Sequence, residues 1–197
     1  MDKIVDYYFT PTSPWTYLGH ERFGAMAAKH HAQIRCKPVD MGKVFQVSGG
    51  LPLGQRAKQR QAYRLFDLQR WRDVLKLPLN LHPKFFPAPT ELACRLILAA
   101  PEPQQFRLAG ALLHAVWAEE RNIGDADTLR AICGENGLDG TRLLAEAQGE
   151  ASAARFAALT AEAIERQVFG APTYLFRDEP FWGQDRLDFV ERALARG

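Results

Sequence analysis

The sequence contains few cysteines and no Cys-x-x-Cys pair. Its 197 residues include three cysteines, Cys36, Cys94 and Cys133, which are odd in number and far apart. Disulfide frameworks need paired cysteines and persist in oxidising compartments, so this pattern favours buried, inert thiols in a reducing cytoplasm. Catalysis by a pair of neighbouring thiols is therefore not expected.

Long apolar runs and an excess of one charge are absent as well. No run approaches the roughly 20 apolar residues that span a bilayer, and no signal-peptide pattern precedes the first strand-like residues at Ile4. The net charge is only +2, with basic residues spread along the chain, which argues against a nucleic-acid surface. We expect a soluble protein whose partners include neither a membrane nor a nucleic acid.

Motifs for nucleotides and metals are also lacking. The chain has no P-loop and no G-x-G-x-x-G, and its five histidines show no metal-type spacing with one another or with the cysteines. We expect no metal site. The composition, with 47% apolar and 24% charged residues, is that of an ordinary globular protein.

Strand patterns lie at the two ends of the sequence, and helical patterns fill the middle. Residues 3–9 and 33–39 alternate and are rich in β-branched or aromatic side chains, with a helix predicted between them over 13–31. A loop is predicted over 40–54, where glycine and proline recur. Apolar spacings of three and four residues then predict helices over 56–76, from Thr90, through 106–117, and over 125–137, 139–148 and 151–170.

The pattern returns to strands near the end of the chain. Residues 172–176 and 180–182 predict a strand pair, followed by a last helix capped by Gln184 or Asp185. The order βαβ, helices, ββα predicts an α/β protein of thioredoxin-like fold with a large all-helical insertion. We assign residues 1–45 and 165–197 to the thioredoxin-like domain and residues 46–164 to the insertion.

Ser13-Pro14-Trp15-Thr16 occupies the place of the Cys-x-x-Cys motif in a thioredoxin-like fold. Hydroxyls at both sulfur positions mean that any thiol must come from outside the chain, as in glutathione. Ser13 also has a structural interpretation, because it is a good N-cap with Pro14 at the first helical position.

Two later segments predict the rest of a tripeptide site. Pro172 opens a strand, and if its peptide bond is cis, the Ala171 backbone turns toward Ser13 and presents an edge for an extended peptide. The turn Trp182-Gly183-Gln184-Asp185 precedes the last helix, where free N–H groups attract a carboxylate and Asp185 can pair with an ammonium. A plain turn with a helix cap explains this segment equally well.

Candidate substrate contacts lie in the helical block. Arg56, Arg60 and Arg64 are one turn apart and predict a solvated face, whereas Lys58 lies off that row and is the predicted anion contact. Trp15 and the segment with Phe85 predict an apolar substrate wall, with core packing as the alternative.

With these residues in place, the chain resembles the 2-hydroxychromene-2-carboxylate isomerases, relatives of the kappa-class glutathione transferases on a DsbA-like thioredoxin fold. The resemblance covers nearly the whole chain. Its specific pieces are Asp6-Tyr7-Tyr8-Phe9 before Ser13-Pro14-Trp15-Thr16-Tyr17-Leu18, Asp67-Leu68-Gln69-Arg70-Trp71, Val168-Phe169-Gly170-Ala171-Pro172-Thr173 and Phe181-Trp182-Gly183-Gln184-Asp185-Arg186-Leu187.

The resemblance implies glutathione as cofactor, a small aromatic acid as substrate, and a homodimer. It implies that Ser13 holds the sulfur, that Ala171 with Pro172 binds the tripeptide backbone, and that Trp182, Gly183, Gln184 and Asp185 hold the γ-glutamyl end. The family interconverts 2-hydroxychromene-2-carboxylate and trans-o-hydroxybenzylidenepyruvate in the breakdown of naphthalene-type aromatics.

Two alternatives remain open at this stage. A kappa-like glutathione transferase would use the same cofactor site but consume glutathione. A non-catalytic thioredoxin-fold binding protein would use Ser13 only as a helix cap.

Overall fold

The computed structural model describes residues 3–197, which form one mixed sheet surrounded by helices. Within this range the strands are β1 (Ile4–Phe9), β2 (Gln33–Pro38), β3 (Thr173–Phe176) and β4 (Glu179–Trp182). The helices are α1 (Pro14–Lys29), α2 (Met41–Ser48), α3 (Lys58–Leu75), α4 (Glu91–Ala99), α5 (Glu102–Trp117), α6 (Ala126–Glu135), α7 (Gly140–Gln148), α8 (Glu150–Glu165) and α9 (Leu187–Arg196). Short 3-10 turns cover Leu53–Gln55 and Gln184–Arg186.

The sheet has the strand order β2-β1-β3-β4. Strand β1 pairs in parallel with β2 and antiparallel with β3, which in turn pairs antiparallel with β4. Helix α1 connects the parallel pair, and α2 to α8 all lie between β2 and β3 in the sequence. The predicted thioredoxin-like βαβ…ββα order with inserted helices is confirmed, whereas the domain boundaries at 45/46 and 164/165 stay a prediction.

Strand β1 forms the centre of the core because helices cover both faces of the sheet. On one face the Tyr7 ring stacks 5.4 Å from Tyr174 and lies 5.0 Å from Phe23 of α1. On the other face Tyr8 packs with Val44 of α2 and Ala163 of α8. Burying an aromatic or branched side chain contributes about 1.5–3 kcal/mol to stability. The alternation of such side chains between the two faces of β1 therefore determines which helices pack on which face.

The prediction of a loop over 40–54 was wrong in its first half. Residues Met41–Ser48 form α2, and Asp40 caps its N-terminus. The Asp40 carboxylate accepts hydrogen bonds from the Gly42 and Lys43 N–H groups at 2.9 and 3.2 Å. The helix ends at Gly49. Its φ of 75° lies in the left-handed region, which favours glycine. The Gly and Pro residues that suggested a loop only mark the end of this short helix.

Two further boundaries differ from the prediction. Helix α8 ends at Glu165 rather than at Gly170, and Gln167 then adopts a φ of 59°. Neither Gln184 nor Asp185 caps the last helix, because residues Gln184–Arg186 form a 3-10 turn that runs directly into α9 without a side-chain cap.

A set of paired charges holds β1, β2 and α8 together, and we call it the paired cluster. Asp6 is 4% exposed, and its Oδ1 lies 2.7 Å from Arg35 Nε and 3.5 Å from Lys37 Nζ. Lys37 Nζ also lies 2.5 Å from Glu162 Oε1, which accepts a hydrogen bond from the Tyr8 hydroxyl. Each charge in the paired cluster therefore has an opposite charge within the chain.

His20 of α1 is a buried group whose partners are all uncharged. The Tyr7 hydroxyl lies 3.2 Å from His20 Nδ1, and His20 Nε2 lies 3.0 Å from the Phe106 carbonyl oxygen. Because a carbonyl only accepts, Nε2 carries the proton and Nδ1 accepts from Tyr7. Burial lowers the pKa of His20 to about 4, so the imidazole is neutral near pH 7.

Across the described residues, 3–197, the helices lack the length and apolar character needed to cross a membrane.

Candidate functional site

Ser13 lies where β1 ends and α1 begins, and it caps the helix as predicted. Its Oγ accepts a hydrogen bond from the Thr16 N–H at 3.2 Å, with Pro14 at the first helical position. Ser13 is 8% exposed, whereas Thr16 is fully buried and its hydroxyl has no partner within residues 3–197. Of the two hydroxyls in the motif, that of Ser13 is the less deeply buried.

The loop before β3 lies directly against Ser13. The Ala171–Pro172 peptide bond is cis, and the Ser13 hydroxyl donates to the Ala171 carbonyl over 3.4 Å, a long distance for a hydrogen bond. In the described part of the chain, nothing accepts a hydrogen bond from the Ala171 N–H. Ser13 and Ala171, which are 158 residues apart in sequence, are thus brought together as predicted.

The turn after β4 is joined to the same loop. The Gly183 N–H donates to the Pro172 carbonyl at 2.9 Å. Gly183 has a φ of 102°, a conformation that residues with a side chain rarely adopt. Gln184 is buried and its Oε1 accepts from Arg22 at 2.7 Å. Asp185 Oδ2 pairs with Arg186 at 2.8 Å, and its Oδ1 has no partner within residues 3–197. Gln184 is therefore fixed toward α1, while Asp185 stays exposed.

These segments surround a cavity of about 530 Å³ that lies between the N-terminal end of α1 and helix α3. Its walls combine aromatic, basic and a few acidic side chains. The lining residues are Trp15, Arg56, Gln59, Arg60, Tyr63, Arg64, Asp67, Trp71, Ala171, Trp182, Gly183, Gln184, Asp185 and Arg186.

Most of the residues predicted for the site line this cavity, but four do not. Ser13 and Pro172 lie behind the wall and contact it through Ala171 and Gly183. Lys58 is exposed and lies outside the cavity. Phe85 also lies outside the cavity, with the Lys84 ammonium 5.1 Å from its ring centroid.

The arginine row of α3 faces the cavity, so the prediction of a solvated face was wrong for Arg64. Arg64 is 9% exposed, and its guanidinium lies 5.4 Å from the Phe86 ring centroid and 5.8 Å from that of Trp117. Burial, and secondarily the charge of Arg56, lower the pKa of Arg64 to about 10. A spacing of four residues could not show that one end of the row is covered by residues from α5 and the loop before α4.

Sequence reasoning missed Tyr63, Asp67 and Trp71 as cavity residues. Together with Arg60 and Arg64 they recur at three- and four-residue steps, which places them on one face of α3, whereas Arg56 lies just before the helix begins at Lys58. A signal was present, because this stripe mixes arginines with aromatic residues and is not the apolar stripe of a core-facing helix.

The cysteines lie away from the cavity and are buried without a disulfide. Burial raises the pKa of Cys36 to about 12 and that of Cys133 to about 11, and it raises the pKa of Cys94 as well. The thiolate is the reactive form of cysteine, and a raised pKa disfavours it near pH 7. The prediction that the cysteines are buried and unpaired is confirmed.

Comparisons with known proteins agree with the fold. The family model of the DsbA-like thioredoxin domain matches residues 4–195. A 2-hydroxychromene-2-carboxylate isomerase of Pseudomonas putida is 32% identical over 198 residues, covering 98% of this chain and 95% of the relative.

Solved structures give the same result. The structure of a 2-hydroxychromene-2-carboxylate isomerase matches with a TM-score of 0.84 and 28% identity, covering 98% of this chain and 95% of that one. The cytosolic disulfide reductase DsbM of Pseudomonas aeruginosa, solved with glutathione, shares the fold with a TM-score of 0.68 and 18% identity, covering 98% and 99%.

Proposed function

The chain belongs to the DsbA-like thioredoxin family and, within it, to the 2-hydroxychromene-2-carboxylate isomerases, and from this premise we propose a glutathione-dependent isomerase. Its reaction interconverts 2-hydroxychromene-2-carboxylate and trans-o-hydroxybenzylidenepyruvate, or a closely related aromatic pyruvate acid, in aromatic breakdown. The observation that carries the proposal is the Ser13 hydroxyl, held at the start of α1 against Ala171 of the cavity wall in a chain whose own thiols are all buried.

The polar groups of the cavity suit glutathione. The Ala171 N–H is a free backbone donor within residues 3–197, as an extended cysteinyl backbone requires. Asp185 Oδ1 can accept from the γ-glutamyl ammonium, and the N–H groups of Gln184 and Asp185, which have no acceptor within residues 3–197, can bind its carboxylate. Arg56 and Arg60, nearer the mouth of the cavity, are candidates for the glycyl carboxylate.

When bound, glutathione supplies a thiolate that adds reversibly to the conjugated double bond of the substrate, so that the bond can rotate before the thiol leaves. The Ser13 hydroxyl can donate a hydrogen bond to that sulfur, because its hydrogen bond to the Ala171 carbonyl is long and weak. The N–H of Trp15 has no acceptor in the described chain, and at the start of α1 it favours an anion over a neutral thiol.

The aromatic side chains suit the substrate. Trp15, Tyr63, Trp71 and Trp182 line the cavity, and flat ring faces of this kind stack on planar aromatic ligands. They would hold the substrate ring and exclude water from the reacting double bond.

The first test is calorimetric titration of the wild-type protein and Ser13→Ala with glutathione and with S-methylglutathione. We expect wild type to bind glutathione, and either change at the sulfur to weaken binding about tenfold or more, because a charge-assisted hydrogen bond is lost. Ser48→Ala, at the exposed end of α2, is the matched control and should bind like wild type.

The activity assay separates the proposal from its two rivals. An isomerase converts many equivalents of benzylidenepyruvate-type substrate and returns all the glutathione, whereas a kappa-like transferase accumulates a stable conjugate. In a binding protein, Ser13→Ala would cost about 1 kcal/mol of stability as a lost cap and leave ligand affinity unchanged. A stable glutathione conjugate, or an unchanged ligand affinity in Ser13→Ala, would refute the isomerase.

We also propose a cytoplasmic homodimer. The three free, buried cysteines support a reducing compartment, and the exposed apolar side chains Phe66 and Val74 on α3 support an apolar contact surface. Sedimentation equilibrium should give twice the 22.2 kDa chain mass, and a monomer at micromolar concentration would contradict the homodimer.

A further inference from the structure

Arg64 is the most deeply buried cation of the cavity wall. It lies near the middle of α3 and is 9% exposed, yet within residues 3–197 its guanidinium has neither a hydrogen-bond acceptor nor a carboxylate within ion-pair distance. Asp67 lines the same cavity but forms no ion pair with it. Because guanidinium groups stay charged in proteins, Arg64 is a buried positive charge without a partner.

The surroundings of Arg64 compensate its charge only in part. The Phe86 and Trp117 rings lie 5.4 and 5.8 Å from the guanidinium carbon, and contacts of this kind are weak when compared with the cost of removing a charge from water. Arg64 itself lines the cavity, so a ligand bound there can reach its guanidinium.

The charges near Arg64 indicate an anionic partner. Arg56 and Arg60 line the same wall, and the charge of Arg56 lowers the pKa of Arg64. Arg60 on α3 and Arg56 just before that helix add two guanidiniums to the wall that holds Arg64, and such like charges repel one another unless an anion lies between them. A carboxylate can accept two parallel hydrogen bonds from one guanidinium, which matches the planar group presented here.

The rest of the wall restricts which anion fits. Tyr63 and Trp71 lie within one or two turns of Arg64 on the same face of α3, and Trp15 faces them across the cavity. A ligand held by Arg64 therefore lies among aromatic rings. A flat aromatic acid can stack on these rings, whereas the aliphatic end of a peptide cannot. Arg56 and Arg60 are less buried and suit the carboxylate of a peptide such as glutathione.

We propose that Arg64 binds the carboxylate of the substrate and makes the cavity selective for flat aromatic 2-oxo acids over the corresponding neutral ketones. The identity of the acid rests on the proposed function, but the selectivity can be measured without glutathione. Lys58, the anion contact predicted from the sequence, lies outside the cavity and provides the competing assignment.

Two ligands that differ only in the charged group test the proposal. Benzylidenepyruvate and benzylideneacetone share the ring, the double bond and the ketone, and a methyl group replaces the carboxylate in the second. Calorimetric titration of wild type without thiol should show at least about tenfold tighter binding of the acid. Arg64→Met should reduce that ratio to near one by weakening the acid alone.

Three further titrations make the result specific. Arg142→Met removes an exposed arginine that pairs with Glu146 on α7, outside the cavity, and should keep the wild-type ratio. Lys58→Met should also keep it. Glutathione affinity should change less than about threefold in Arg64→Met, because Arg64 is assigned to the substrate and not to the tripeptide.

The proposal is overturned if wild type does not prefer the acid, if Arg64→Met keeps the preference, or if Arg64→Met instead loses glutathione. None of these results bears on glutathione binding and isomerisation by wild type, which the Ser13 titrations and the turnover assay measure. Conversely, a protein that binds no glutathione but prefers the acid through Arg64 would refute the isomerase and keep the carboxylate site.

Discussion

Lys37 on β2 and Arg64 on α3 are both largely buried cations, but only Lys37 has carboxylate partners. The Lys37 side chain is 12% exposed and lies within 4 Å of Asp6 and Glu162. Arg64 is 9% exposed, lies beside the rings of Phe86 and Trp117, and forms no ion pair within residues 3–197. The first cation faces the seam between the sheet and α8, and the second faces a cavity.

The difference separates two uses of buried charge. In the paired cluster each charge is compensated within the chain, so its removal should cost stability and leave ligand binding unchanged. At Arg64 the compensation is missing, so removal should cost little stability and change what the cavity binds. Stability and ligand selectivity measured on the same variants therefore test the comparison directly.

The largest effect on stability is expected from Asp6→Ala in the paired cluster. This change leaves Arg35 and Lys37 without the carboxylate between them, and breaking such a pair costs about 3–5 kcal/mol when both partners are buried. Arg35 is half exposed and Lys37 keeps Glu162, so we expect the lower end, about 3 kcal/mol. Urea unfolding followed by circular dichroism measures the difference.

An exposed ion pair provides the control for Asp6→Ala. Asp178 pairs with Arg166 at the surface and its side chain is 90% exposed. Asp178→Ala should change the free energy of unfolding by less than about 0.5 kcal/mol. Equal losses from the two variants would show that burial does not strengthen the paired cluster.

His20 extends the comparison to a buried group that is neutral until the pH falls. Its folded pKa of about 4 lies below the unfolded value of about 6.5, so the unfolded state binds the proton more readily. Stability is therefore complete above pH 6.5 and declines as the pH falls toward 4. At pH 5 the loss relative to pH 8 should be about 2 kcal/mol from this residue.

Unfolding of wild type and His20→Gln at pH 5 and pH 8 checks the contribution of His20. The variant should have the smaller pH dependence, whatever its absolute stability, because its amide does not titrate in this range. NMR titration of the His20 ring gives the pKa directly. A ring that titrates near pH 6.5 in the folded protein would contradict the assignment of uncharged partners.

The fold and half of the site could be predicted from the sequence because their signals are local. Ser13 before Pro14 marks the start of α1, and the alternation of residues 3–9 marks β1. The proximity of Ser13 and Ala171 followed from the fold once the βαβ and ββα units were recognised. The short helix α2 was missed because glycine and proline close behind it resemble the signals of a loop.

The burial of Arg64 could not be predicted, because it depends on distant elements. Polar residues occur on every face of α3, so its periodicity does not show which of its arginines becomes covered. Phe86 and Trp117, which cover Arg64, come from the loop before α4 and from α5. Lys58 and Arg60 differ by two residues, which places them on nearly opposite sides of one helix.

Among the variants at buried charges, the smallest effect on stability is expected from Arg64→Met, and it completes the comparison. Removing the guanidinium loses two contacts with aromatic rings but also removes an unpaired buried charge, and methionine fills a similar apolar space. These terms oppose each other, so the free energy of unfolding should change by less than about 1 kcal/mol, measured in urea beside Asp6→Ala. A loss as large as that of Asp6→Ala would mean that the rings fully compensate the charge and that Arg64 serves the fold. A small change together with lost acid selectivity would instead identify a charge whose partner comes from outside the chain.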